Sequence, residues 1–234
     1  MTVALIDADC VAHAVAWNFP KLKELGKAWR AFSRSIRDIE EAVWADHSNI
    51  VVKGPGNYRD YIYSEYKAHR VGKESKVEDG VVNGLRDRAV SELGAIYSYG
   101  RESDDFLRIW SIEAENAGEE YVVCSNDKDL YCIPGKHFST KTHQIRNITK
   151  AEAERHYWEQ ILKGDMTDNI PGLPGIGPVK AKNLLKDCDT TEEYKAVVER
   201  CYKQQYGPDT WKSWLLSNGK MIHIQQHVDD YFTF

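Results

Sequence analysis

The sequence predicts an α/β fold, a parallel sheet over residues 1–148 followed by a helical region over 149–234. Three observations carry this. Short apolar runs recur at "VALID" (3–7), "NIVVK" (49–53) and "YVVCS" (121–125). Amphipathic stretches separate them, and strands alternating with helices build parallel sheets. Beyond about residue 150 the chain reads as helical throughout, interrupted by one cluster of prolines and glycines.

Taken in order, "VALID" is a short buried strand. Residues 21–44 repeat Leu22, Leu25, Trp29, Phe32, Ile36, Ile39 and Val43 every three or four positions, the mark of one or two amphipathic helices. "NIVVK" is the second strand. Val82, Leu85, Ala89 and Leu93 give a helix over 79–93, and "AIYSY" (95–99) a third strand. Ser103 is the expected cap of a helix carrying Asp104 and Asp105 in its first turn. "YVVCS", bounded by Gly118 and by Asn126-Asp127, is the clearest central strand. Of seven prolines, Pro171, Pro174 and Pro178 fall among Gly172, Gly175 and Gly177. No regular element tolerates that density of breakers.

Composition narrows the function classes. No apolar run approaches the ~20 residues of a membrane span, and "MTVALIDADC" lacks the basic start and apolar stretch of a signal peptide. Five cysteines without a CxxC pair suit a reducing cytoplasm rather than a disulfide scaffold or a zinc site. The net charge is −5, but its distribution matters more than its sum. Between residues 53 and 76, Lys53, Arg59, Lys67, Arg70, Lys73 and Lys76 outnumber Asp60, Glu65 and Glu74.

The acids gather elsewhere. Open α/β sheets form their sites beyond the carboxyl ends of the strands. There "LIDAD" puts Asp7 and Asp9, "SYGRESDD" puts Glu102, Asp104 and Asp105, and "VCSNDKD" puts Asp127 and Asp129. Asp165 and Asp168 of "GDMTDNIPG" complete nine candidate carboxylates. A single such cluster is ordinarily a solvated turn or cap; three, all at strand ends, point to divalent metal, because crowded carboxylates repel and shift one another's pKa. Mg²⁺ takes such hard oxygen ligands, with Mn²⁺ as a substitute. Two ions about 3.5–4 Å apart are the standard device for displacement at a phosphodiester.

The basic stretch "NYRDYIYSEYKAHR" (57–70) mixes four tyrosines with Arg59, Lys67, His69 and Arg70, a composition suited to a single nucleic-acid strand. "GLPGIGPVKAKNLL" has the form of a helix–hairpin–helix: Gly175, Ile176 and Gly177 turn the chain and Pro178 starts a helix. Turn amides, with Lys180 and Lys182, would then face a duplex phosphate.

With these residues in view, the sequence resembles the 5′-nuclease superfamily: flap endonucleases, the 5′-nuclease domain of DNA polymerase I, and phage 5′-3′ exonucleases. The resemblance runs from Asp7 to about Leu185 through "LIDAD", "YRDYIYSEYKAHR", "ESDD", "NDKD" and "GDMTDNIPGLPGIGPVKAKNLL". It implies a PIN-like nuclease core with a helical arch over about 58–85 and a helix–three-turn–helix over about 150–188 that holds duplex with help from K⁺. It also implies that Asp7, Glu102 and Asp104 chiefly hold one metal and Asp127, Asp129 and Asp168 a second, with Asp105 and Asp165 in support. Tyr66 would stack on a base; Lys67 and Arg70 would stabilise charge on the scissile phosphate.

The chain departs from the family in an arch that looks short, in a resemblance that fades after about residue 190, and in one missing acid. The Asp usual after the second strand is absent from "VVKGPGNYR", and Asp9 is the candidate substitute. The expected protein is a monomeric, cytoplasmic, Mg²⁺-dependent 5′-3′ exonuclease or flap endonuclease, of a bacterium or a phage-infected cell. Its expected substrate is DNA with a 5′ end, flap or junction, or a primer-derived RNA/DNA hybrid. A junction-binding protein with impaired catalysis and a PIN-type ribonuclease are the alternatives.

Overall fold

The structure, a computed structural model, describes residues 1–68 and 75–234. The described residues of Met1–Asn57, Lys73–Leu130 and Gly135–Ile148 form one compact unit, and those of Tyr58–Gly72, Tyr131–Pro134 and Thr149–Phe234 form another. Residues 58–68, expected as the start of an arch in the first domain, cluster with the second unit.

The first unit is built on a six-stranded sheet. Its strands are β1 (Thr2–Asp7), β2 (His47–Val52), β3 (Ile96–Tyr97), β4 (Glu120–Cys124), β5 (Gly135–Phe138) and β6 (Ile145–Ile148), in the order β3-β2-β1-β4-β5-β6. All neighbours run parallel except β5 and β6. Parallel strands need both faces covered, and Val3, Leu5 and Ile6 at the centre are accordingly buried. The covering helices are α1 (Ala8–Asn18), α2 (Leu25–Ala42), α4 (Val81–Leu93) and α5 (Ser103–Ala117). Ala28, Trp29, Phe32, Ile36 and Ile39 put the apolar stripe of α2 into the core.

Two sequence expectations change here. β3 is two residues long rather than five, because Tyr99 is exposed and the chain turns away after Tyr97. The cap of α5 is Glu102, whose N–H donates to Asp105 Oδ2 at 3.0 Å; Ser103 is already inside the helix.

The second unit holds α3 (Tyr58–Ile62), α6 (Lys150–Lys163), α7 (Pro178–Leu184) and α8 (Thr191–Ile222), the last broken at Gly207-Pro208. Trp158, Ile161, Leu162, Tyr194, Val198 and Leu215 are among its core residues. Thr149 and Glu152 form a reciprocal capping box at the start of α6, and Thr190 and Glu193 repeat it at α8. Between α6 and α7, Leu173 N–H donates to Leu162 O at 2.8 Å and Ile176 N–H to Leu173 O at 3.0 Å, a compact connection ending with Pro178 in the first turn of α7.

Candidate functional site

Parallel pairing brings the carboxyl ends of β1, β2 and β4 to one edge: Asp7 pairs with Val51, and Ile6 with Cys124. Asp7 is therefore the last residue of a central strand and also the N-cap of α1, accepting the Asp9 N–H at 3.1 Å. Its other oxygen accepts the Ser125 hydroxyl at 2.9 Å. Ser125 Oγ in turn accepts the Asp127 N–H at 3.1 Å, and Asp127 Oδ1 accepts the Asp129 N–H at 2.8 Å. One hydroxyl thus joins the acidic turn after β4 to the acidic end of β1.

The electrostatics are those of crowded acid. Asp7 is only 8 % exposed, and its carboxyl is pushed up to about 6, first by burial and then by the charge of Asp9. The Ser125 hydrogen bond opposes this, and the Asp127 charge adds to it.

Asp9 takes a different partner. Arg86 of α4 donates Nε to Asp9 Oδ1 at 3.0 Å and Nη2 to Oδ2 at 2.7 Å, while Lys53 N–H donates to Oδ1 at 2.9 Å. The Asp9 carboxylate thereby lies at the carboxyl end of β2, where the sequence lacks an acid of its own. At α5, Asp105 is fully buried and serves the helix start, while the capping Glu102 and first-turn Asp104 are half-buried.

The second unit carries the remaining candidates. Lys67 Nζ lies 3.1 Å from Asp168 Oδ2, which also accepts the Tyr66 hydroxyl at 3.0 Å. The backbone repeats the link: Lys67 N–H donates to Asp168 O at 3.0 Å, and Asn169 Nδ2 to Glu65 O at 2.6 Å. Lys67 and Asn169 both have φ near +60, backbone strain of the kind that concentrates at functional positions.

The turn holding Asp165 and Asp168 depends on two glycines. Gly164 (φ +69) and Gly172 (φ +59) abut so closely that a Cβ on Gly172 would lie 2.3 Å from Gly164 N, and one on Gly164 2.2 Å from Ile170 O. Gly172→Ala is expected to cost about 2–3 kcal/mol through backbone strain and overpacking. Urea unfolding measures it; a midpoint equal to that of the wild type would contradict the close-packed turn.

Two basic-segment expectations are corrected by burial. Arg59, expected on a nucleic-acid surface, is 2 % exposed and donates to Met221 O at 3.0 Å and His223 O at 2.6 Å. The Tyr66 ring, expected to stack on a base, is 6 % exposed; Tyr61 is the tyrosine of this segment that stands in solvent. Arg70 lies outside the described residues. Lys180 and Lys182 are exposed on α7, with Lys180 Nζ 3.3 Å from Gly175 O.

Ser125 and Arg86 were missed in the sequence. Ser125 had a signal, a hydroxyl directly between a strand end and an Asn-Asp turn; Arg86 had none, being one cation among several on a mixed-charge helix.

Among the described residues no three His, Cys, Asp or Glu side chains form a ready coordination sphere. The donor chemistry still fits a hard divalent ion. The acids named at the sheet edge offer only oxygen, and both the burial and the neighbouring charge that raise Asp7 are costs added positive charge would relieve. Mg²⁺ asks for only one or two carboxylates, completing its octahedron with water and substrate phosphate.

Against known proteins, no family model matches the chain. DNA polymerase I of Deinococcus radiodurans is 26 % identical over 240 residues, covering 97 % of this chain and 25 % of the polymerase. The flap endonuclease Xni of Shewanella baltica is 31 % identical over 140 residues, 56 % of this chain and 53 % of that protein. The chain thus spans about a quarter of one relative and about half of the other. Among solved structures, the bacteriophage T5 flap endonuclease in complex with DNA and metal ions superposes with a TM-score of 0.67 at 13 % identity, over 95 % of both chains. The chain has the fold of that phage protein.

Proposed function

We propose that the chain is a divalent-metal-dependent, structure-specific 5′-nuclease that hydrolyses phosphodiesters of DNA at 5′ ends, flaps or junctions, with primer RNA as a further substrate. The observation that carries this is the Asp7–Ser125–Asp127 arrangement at the carboxyl edge of a parallel sheet, with Asp7 held near 6 by burial and like charge. Relatives named as a flap endonuclease and as DNA polymerase I support the substrate class.

In this reading Asp7, Glu102, Asp104, Asp127, Asp129 and Asp168 hold two Mg²⁺ ions, with Asp105 and Asp165 supporting. Mn²⁺ substitutes for Mg²⁺, and K⁺ serves the α6–α7 connection. The bound ions would offset charge developing on the scissile phosphate and activate the attacking water. The protein's own contribution is positioning. Ser125 ties the Asp7 carboxyl group to the backbone amide of Asp127. Lys67, paired with Asp168 in the structure, is the cation that turns to the phosphate, joined by Arg70. The Gly175-Ile176-Gly177 turn with Lys180 and Lys182 holds the duplex backbone.

The test is cleavage of a 5′-labelled flap duplex in Mg²⁺, in Mn²⁺ and in EDTA, alongside Asp129→Ala. Metal-dependent cutting near the junction, lost in the variant, is expected. Binding without cutting in either metal would remove the catalytic claim and leave a junction-binding protein.

A further inference from the structure

Arg86 meets the acidic edge of the first unit with each of its three guanidinium nitrogens engaged. Besides the two bonds to Asp9, its Nη1 donates to Asn83 Oδ1 at 2.9 Å. The pair is largely withdrawn from water, with side-chain exposures of 14 % for Arg86 and 17 % for Asp9. Two parallel N–H···O bonds of this kind are the strongest and most orienting ion-pair geometry available to arginine. With the Lys53 N–H added, the Asp9 carboxylate accepts three donors and has little acceptor capacity left for a cation. A desolvated ion pair is weak evidence for added stability, so its value is sought in what it does to its neighbours.

Resting on the metal-dependent reading above, we propose that Arg86 is a built-in counter-cation of the acidic edge: it neutralises Asp9, withholds it from metal coordination, and limits the edge's affinity for divalent ions. Asp9 is then a positioning residue, tying α1 to the end of β2 and to α4, and metal affinity is governed by the carboxylates assigned above, Asp7 and Asp127 among them, rather than by the number of acids nearby. Arg86 can also keep the edge from accumulating excess negative charge where an anionic backbone must approach.

Mn²⁺ binding to the full metal-free chain, followed by the EPR signal of the free ion without DNA, tests this on the wild type, Arg86→Gln, Arg86→Lys and Asp9→Asn/Arg86→Gln. Removing the cation alone exposes one uncompensated charge close to the site, so Arg86→Gln should bind Mn²⁺ about 5–30-fold more tightly. The double variant removes a neutral pair and should stay within about twofold of the wild type, as should Arg86→Lys, which keeps the charge without the fork. Unchanged affinity in Arg86→Gln would overturn the proposal. So would a loss of about tenfold or more in the double variant, which would make Asp9 a ligand. If Arg86→Gln does not hold its fold by circular dichroism, the double variant and Arg86→Lys decide by the same limits. A wild type that binds no Mn²⁺ overturns the metal reading and this proposal with it; failure of the proposal alone shows only in the variants.

Discussion

Asp7→Asn should raise the melting temperature of the metal-free protein while abolishing both protection by Mg²⁺ and cleavage. Asp7 titrates near 6 in the fold against 3.8 for an unperturbed side chain. Its charged form is therefore disfavoured by folding. The sign follows directly: stability is greatest below about pH 4, where the group is protonated folded and unfolded, and falls as pH rises towards 6. Above that window the cost is constant, about 2–3 kcal/mol at ~1.4 kcal/mol per pKa unit. Asn avoids that cost and keeps the geometry. Its oxygen can still accept the Asp9 N–H as a helix cap, and its amide can donate to Ser125.

Melting in EDTA at pH 7.5 should therefore favour the variant by several degrees, and its profile between pH 4 and 6 should lose the wild-type slope. Added Mg²⁺ should stabilise the wild type by mass action and leave the variant unmoved. Cleavage should fall by ~10³-fold or more, the scale on which charge stabilisation at a reacting centre is felt. A variant that melts below the wild type in EDTA would show that Asp7 is not destabilising as a charge. One still protected by Mg²⁺ would show that Asp7 is no ligand.

The same trade explains what could be read from the sequence. β1 and β4 were legible because central parallel strands must be apolar on both faces, and "VALID" and "YVVCS" are. The strand-end acids were legible because an edge of a parallel sheet inherits whatever follows each strand. β5 and β6 were not: "GKHF" and "IRNI" carry polar residues at alternate or adjacent positions and become strands by pairing, β5 with β4 and β6 with β5. Site geometry was legible only where partners lie close in sequence. Asp7, Asp9 and the Asp127–Asp129 turn were found; the Arg86 fork, 77 residues from Asp9, was not. Burial was the least legible quantity. A tyrosine- and arginine-rich segment reads as a surface, yet Arg59 and Tyr66 point inward.

Arg59 makes that last point testable, with the largest stability loss expected of any single change named here. The carbonyls of Met221 and His223 sit at the end of α8, where the last turn leaves acceptors unmatched and the helix dipole is negative. Arg59 supplies Nε to the first and Nη2 to the second, its guanidinium 4.5 Å from the centre of the Tyr58 ring, and the Tyr58 hydroxyl adds a bond to His223 O at 3.3 Å. Arg59→Met keeps the packing volume and removes the arginine donors, so Met221 O loses its guanidinium partner and His223 O keeps only the longer Tyr58 bond.

The expected cost is about 3–5 kcal/mol, as for breaking one side of a buried charged interaction. At ~2–4 °C per kcal/mol for a chain of this size, that lowers the melting temperature by roughly 6–20 °C. Arg59→Lys should recover little, since a point charge cannot span two carbonyls as the fork does. A surface cation gripping DNA would behave in the opposite way: neutral for folding, and lowering the salt dependence of DNA binding by about one phosphate contact when removed. Stability with an unaltered salt slope and stability with a reduced one both contradict a buried cap. Only a large loss of folding stability, not rescued by lysine, fits an arginine whose business is the end of α8.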